Sequence, residues 1–147
     1  MSFFSHKYFL IICFISLFYF SLSDRTLKTL ELEKKVKGKM DENESREYYE
    51  LKLPSNIPRG SLLVFTVKES RTGIKEGEEI FSDPDIYVSK TNRYPSNKEE
   101  ASWYSERYGN DILTISDIKV NDTFYVGIYC QFKCRYTIFP SLIWDFF

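Results

Sequence analysis

Imidazole and thiol chemistry are scarce in this sequence of 147 residues. Its one histidine, His6, and one of its three cysteines, Cys13, fall in the first 23 residues, a stretch that reads as a leader; behind it remain only Cys130 and Cys134. With no histidine and with those two thiols paired, Ser-His and Cys-His nucleophilic catalysis and the common zinc sites have no residues to use. Carboxylates are plentiful, 21 in all, yet nothing marks two of them as a hydrolytic pair. Glu99 and Glu100 are simplest as solvated loop charges. The expectation is a non-enzymatic chain without a cofactor. Calcium is the ion to weigh against that, because Asp83, Asp85, Asp111 and Asp122 stand at strand ends or in loops and offer oxygen ligands. In the competing reading Asp83 and Asp111 cap turns through side-chain hydrogen bonds. There is no contiguous EF-hand loop, and no metal is expected.

Aromatic side chains are the other source of chemistry. Tyr94, Trp103, Tyr104 and Tyr108 lie in a polar stretch, where exposed rings stack on sugar faces or anchor a protein partner. Trp103 is better placed alternating inward to plug a core, which leaves Tyr94 and Tyr108 as the stronger candidates for ligand contact. Tyr49, Phe65, Phe124 and Tyr136 are expected in the core.

The elements that must position these residues are strands. In residues 47–53, Tyr49, Leu51 and Leu53 fall on one face and Tyr48, Glu50 and Lys52 on the other, wet one; period-two alternation marks a half-buried strand. Residues 61–67 are apolar on both faces, as in a central strand. Segments 85–89, 101–105, 111–116, 123–130 and 135–139 follow, rich in β-branched and aromatic residues. Val36–Met40 makes a short edge strand, and Pro140 is expected to end the last one. Seven to eight short strands with turn signals between them give an all-β, antiparallel, jelly-roll-like sandwich. The boundaries expected are a signal peptide over 1–23, an irregular lead-in or helical stub over 24–35, the sandwich over 36–140 and a short apolar tail over 141–147.

The leader reading rests on order. Lys7 ends a short basic region, residues 8–20 are apolar apart from Ser16, and Ser21-Leu-Ser23 supplies small residues ahead of Asp24. That is the layout of a secretory signal peptide, helical and too short to span a bilayer comfortably. Secretion agrees with Cys130 and Cys134 as a disulfide flanking a three-residue turn, and with two N-glycosylation sequons at Asn43 and Asn121. Charges of both signs are interspersed, so there is no basic patch to grip nucleic acid. Membrane contact is expected only through an uncleaved leader or a missing C-terminal span.

With these pieces in order, the chain from about Val36 to Phe139 resembles the bacterial pre-peptidase C-terminal domain and its eukaryotic surface-protein relatives. The matching motifs are Tyr48-Tyr-Glu-Leu-Lys-Leu-Pro54, Leu62-Leu-Val-Phe-Thr-Val67, Asp83-Pro-Asp-Ile-Tyr-Val-Ser89, Gly109-Asn-Asp-Ile-Leu-Thr-Ile115, Thr123-Phe-Tyr-Val-Gly-Ile-Tyr129 and Tyr136-Thr-Ile138. The DPDIYVS form, with a tryptophan in the next segment and Cys-x-x-x-Cys in the last hairpin, looks most like ectodomains of protist and animal membrane proteins. The resemblance implies a jelly-roll-like sandwich with a non-catalytic accessory or binding role, and no particular ligand. The expected function is a secreted or cell-surface binding or spacing module facing an extracellular protein or glycan. The alternatives are a truncated ectodomain of a larger membrane protein and a carbohydrate-binding accessory domain.

Overall fold

The computed structural model describes residues 25–70, 77 and 82–144. Residues 1–24, with the expected leader and its His6 and Cys13, lie outside the described residues, as do most of the loop after Glu69 and the last three residues.

Alternation becomes pairing in nine strands: β1 (Leu27–Leu30), β2 (Val36–Met40), β3 (Ser45–Lys52), β4 (Leu62–Glu69), β5 (Pro84–Ser89), β6 (Trp103–Ser105), β7 (Asp111–Ile115), β8 (Thr123–Cys130) and β9 (Cys134–Ile143). They form a five-stranded sheet in the order β1-β3-β8-β5-β6 and a four-stranded sheet in the order β2-β9-β4-β7. The result is an antiparallel-rich all-β sandwich, the fold class expected from the alternation. Its core fills from both inner faces: Tyr49, Leu51, Ile86, Val88, Phe124, Val126 and Ile128 from the first sheet, Leu63, Phe65, Val67, Tyr136 and Ile138 from the second. The four aromatics expected in the core are all fully buried.

The expected boundaries need correction on both sides, and the strand count, among the described residues, rises from seven or eight to nine. Residues 24–35 are not merely an irregular lead-in. Leu27–Leu30 pairs in parallel with β3, from Leu27 opposite Tyr48 to Leu30 opposite Leu51, and Leu30 is buried. Four residues show too little periodicity to announce a strand; the open edge of β3 supplies the reason for one. At the other end, Pro140 does not stop β9, which runs on through Ser141 and Leu142 to Ile143. The Pro140 carbonyl accepts from the Glu33 amide at 2.8 Å, on the side away from β4. Because N and C=O of a strand residue point to the same side, its missing N–H also faces away from β4. β2 has already ended there, its last pairing being Val36 with Ile138. Proline is tolerated where no ladder bond is lost.

Cys130 and Cys134 are bonded, with Cα atoms 6.3 Å apart, and both are buried. Closing so short a loop stabilises by about 2 kcal/mol in the chain-entropy model. It also holds the β8–β9 turn at one end of the sandwich.

Candidate functional site

That same end gathers several of the residues picked out for chemistry. Residues 106–110 connect β6 to β7, and carboxylates below hold the connection by its backbone. Asp83 Oδ1 accepts from the Gly109 amide at 2.7 Å. Asp111 Oδ1 accepts from the Arg107 amide at 3.2 Å and from the Ser105 hydroxyl at 2.5 Å. Gly109 sits at φ +92, in the left-handed region that glycine enters without a Cβ penalty. Tyr108, between the two clamped amides, is 91% exposed. An aromatic ring on a backbone fixed at both neighbours loses little entropy when it meets a partner.

β5 brings a second set. Positions 85 and 87 alternate onto the outer face of the five-stranded sheet, where Asp85 pairs with Tyr129 of β8 and Tyr87 with Tyr104 of β6, and Asp83 lies just before β5. Burial, then the neighbouring charges of Asp83, Asp111 and Glu106, push the Asp85 carboxyl up to about 7. Asp111 is also raised: burial outweighs the hydrogen bonds from Ser105 and Arg107. It is fully buried, and its Oδ2 has no hydrogen-bond partner among the described residues.

A raised carboxyl has an unusual stability signature. The folded chain holds the Asp85 proton more tightly than the unfolded chain does. Its contribution is therefore fully present below the ordinary carboxylate range and is lost as pH rises through about 7. Solvent screening of this half-buried group leaves a difference of about 1 kcal/mol. Asp85→Asn is expected to melt higher than wild type at pH 8, with the gap closing by about pH 4. Thermal unfolding across that range reads it, and a variant no more stable at pH 8 would contradict the assignment.

The other candidates are distributed differently. Asp122 lies at the opposite end, accepting from the Lys119 amide at 2.8 Å and pairing with Lys90 at 2.7 Å, away from Asp83, Asp85 and Asp111. Among the described residues no group of three His, Cys, Asp or Glu side chains is arranged to hold a metal ion. Trp103 is partly buried, its ring 6.0 Å from that of Phe124, the inward placement favoured from sequence. Tyr94 is a packing residue: its ring meets Tyr48 edge-on at 5.2 Å. Asn43 and Asn121 are both exposed, in turns at opposite ends of the sandwich. Sequence reasoning did not single out Tyr87, Glu106 or Tyr129: Tyr87 shows only in the period-two alternation of β5, and Tyr129 of β8 and Glu106 after β6 come beside that strand through cross-strand pairing.

No family model matches this sequence, and no curated protein matches it. Among solved structures the chain is similar to the crystal structure of the pre-peptidase C-terminal domain of a collagenase from Bacillus anthracis, with a TM-score of 0.51. The likeness covers 78% of this chain and 94% of that one at 10% identity. At that identity it speaks to fold, and the fold is the one that the order of motifs resembled.

Proposed function

We propose that this chain is a secreted or cell-surface, non-enzymatic binding module that meets its ligand at the end displaying Tyr108. The observation that carries the reading is an exposed ring held on a loop whose backbone is clamped on both sides by Asp83 and Asp111. Those two carboxylates serve the loop, which supports a positioning role for them over acid–base work. The Bacillus anthracis neighbour is a domain of a collagenase, and we carry over the idea of an accessory unit without its enzyme's substrate. In this reading the partner is an extracellular protein or glycan, no cofactor is needed, and N-glycans on Asn43 and Asn121 project from the two ends.

Purified full-length product from a eukaryotic secretory host, screened on cell surfaces and a glycan array, tests this. Tyr108→Ala is expected to weaken capture about ten-fold or more, in the range of a hot-spot aromatic, with an unchanged melting temperature. Equal capture by both proteins would sink the assignment of the site.

A further inference from the structure

Charges that alternate in sign along the chain are sorted by side in the four-stranded sheet. Its strands hold two carboxylates, Glu69 and Asp111, and both fall at inward register, opposite Tyr136 and Val67. The outward positions of β2, β9, β4 and β7 therefore carry no acid, in a chain that has 21. They carry lysine and arginine instead. Lys37 and Lys68 flank Thr137 from either side, about 10 Å apart at two strand spacings, and both are exposed. In the next outward row Lys39 lies opposite Arg135. A carboxylate past the end of β2, Asp41, is shared between them, 2.8 Å from Lys39 and 2.9 Å from Arg135. The outer face of the five-stranded sheet is different, with Glu50 and Asp85 among its outward residues.

Beyond the lysines the face turns apolar. Ile112 of β7 and Phe139 of β9 flank Thr66, and Leu62 lies opposite Ile143 at the far end. The row between them, centred on Val64, is uncharged. Ile112 is 58% exposed and Ile143 51%. Exposed apolar surface rimmed by polar residues marks a contact site, and here the rim has one sign. An anionic bilayer takes both halves at once. Aliphatic and aromatic side chains settle at the boundary of headgroups and acyl chains. Lysines, whose long stems carry the ammonium past apolar neighbours, meet the lipid phosphates. A free polyanion would use the cations and leave Ile112 and Ile143 in water. A second copy would bury the isoleucines and gain nothing from the lysines.

We propose that the outer face of the four-stranded sheet docks on a membrane surface containing anionic phospholipid. The inference goes beyond the binding-module reading, since the face is separate from the Tyr108 loop and shares no residue with it. Sequence led to membrane contact only through a leader or a C-terminal span, and this route needs neither. Lys37 and Lys68 face the headgroup phosphates, and Ile112, Phe139 and Ile143 rest against the interface beside them.

The test floats the full secreted protein with vesicles of phosphatidylcholine alone and of equal parts phosphatidylcholine and phosphatidylserine. Binding is expected to be at least about ten-fold tighter with phosphatidylserine and to weaken as salt is raised. Lys37→Gln combined with Lys68→Gln is expected to weaken it about 25-fold, roughly five-fold for each lysine brought to the surface. Ile112→Thr combined with Ile143→Thr keeps the β-branched shape and all the charge, and is expected to weaken it about ten-fold. Both pairs alter exposed side chains, so their melting temperatures are expected to stay with wild type. Equal binding to the two vesicle types, no binding to either, or an unaffected lysine variant overturns the proposal. An unaffected isoleucine variant overturns it too, because the face then acts as a plain anion site. So does a wild-type dimer in sedimentation equilibrium that the isoleucine variant turns into a monomer. Tyr108→Ala is expected to float like wild type even where it loses cell-surface capture. If Tyr108→Ala stops flotation and the lysine variant does not, the contact belongs to the Tyr108 end and this inference falls.

Discussion

Gly38→Ala is expected to destabilise the fold by about 3 kcal/mol, combining overpacking with the disturbance of a buried hydrogen-bond cluster. A Cβ at Gly38 would lie 2.0 Å from Tyr136 Cζ and 2.5 Å from its hydroxyl oxygen, because the ring leans from β9 across β2. The ring has nowhere to go. It is fully buried, and its hydroxyl donates to Glu47 Oε2 at 2.6 Å beside the Tyr49 hydroxyl at 2.7 Å. Lys28 completes the cluster with a 2.6 Å bond to Glu47 Oε1. Burial works to raise the Glu47 carboxyl, but the bonds from Lys28, Tyr136 and Tyr49 outweigh it and hold it below the usual range. This clasp joins the two sheets, so moving Tyr136 loosens both. Urea unfolding is the measurement, with Tyr136→Leu as partner in a double-mutant cycle. The leucine is expected to cost less in the alanine background than in wild type, because the two changes share one contact. A Gly38→Ala protein within about 0.5 kcal/mol of wild type would show that the ring is not confined.

Gly127→Ala is expected to be comparably damaging, by about 2–3 kcal/mol, and to show where it acts. The added Cβ would sit 1.9 Å from the Pro95 carbonyl oxygen. That atom is backbone, so no rotamer change relieves the clash. Residues 90–102 would have to lift from the outer face of the five-stranded sheet. Tyr94 would leave Tyr48, and the Ser102 amide its 2.8 Å bond to Val88. Hydrogen exchange should therefore rise in residues 90–102 while β4 and β9 stay protected. Unchanged exchange in that loop would contradict the close approach of Pro95 to β8.

Local sequence carried the sandwich well, because period-two alternation is a property of neighbours along the chain. It placed Tyr49, Phe65, Phe124 and Tyr136 inside, Val36–Met40 at an edge, and Cys130 and Cys134 across one turn. It had no access to what depends on residues far apart. β1 is a strand because β3 has an edge to offer, and β9 passes Pro140 because β2 has already ended beside it. Tyr48 looked wet, yet it is buried under Tyr94, because residues 90–102 fold back onto a face whose coverage no spacing reveals. The same packing sets the half-buried Tyr94 ring against Tyr48 and leaves Tyr108 as the more exposed of the two candidates.

The sequence alone determined the strand periodicity, the cysteine pair and the scarcity of imidazole, all matters of residue type and short spacing. Only the tertiary structure decided which carboxylates meet. Asp83, Asp85, Glu106 and Asp111 come together, and Asp122 goes elsewhere, because cross-strand register and sheet order set those distances and neither is written at a fixed interval along the chain.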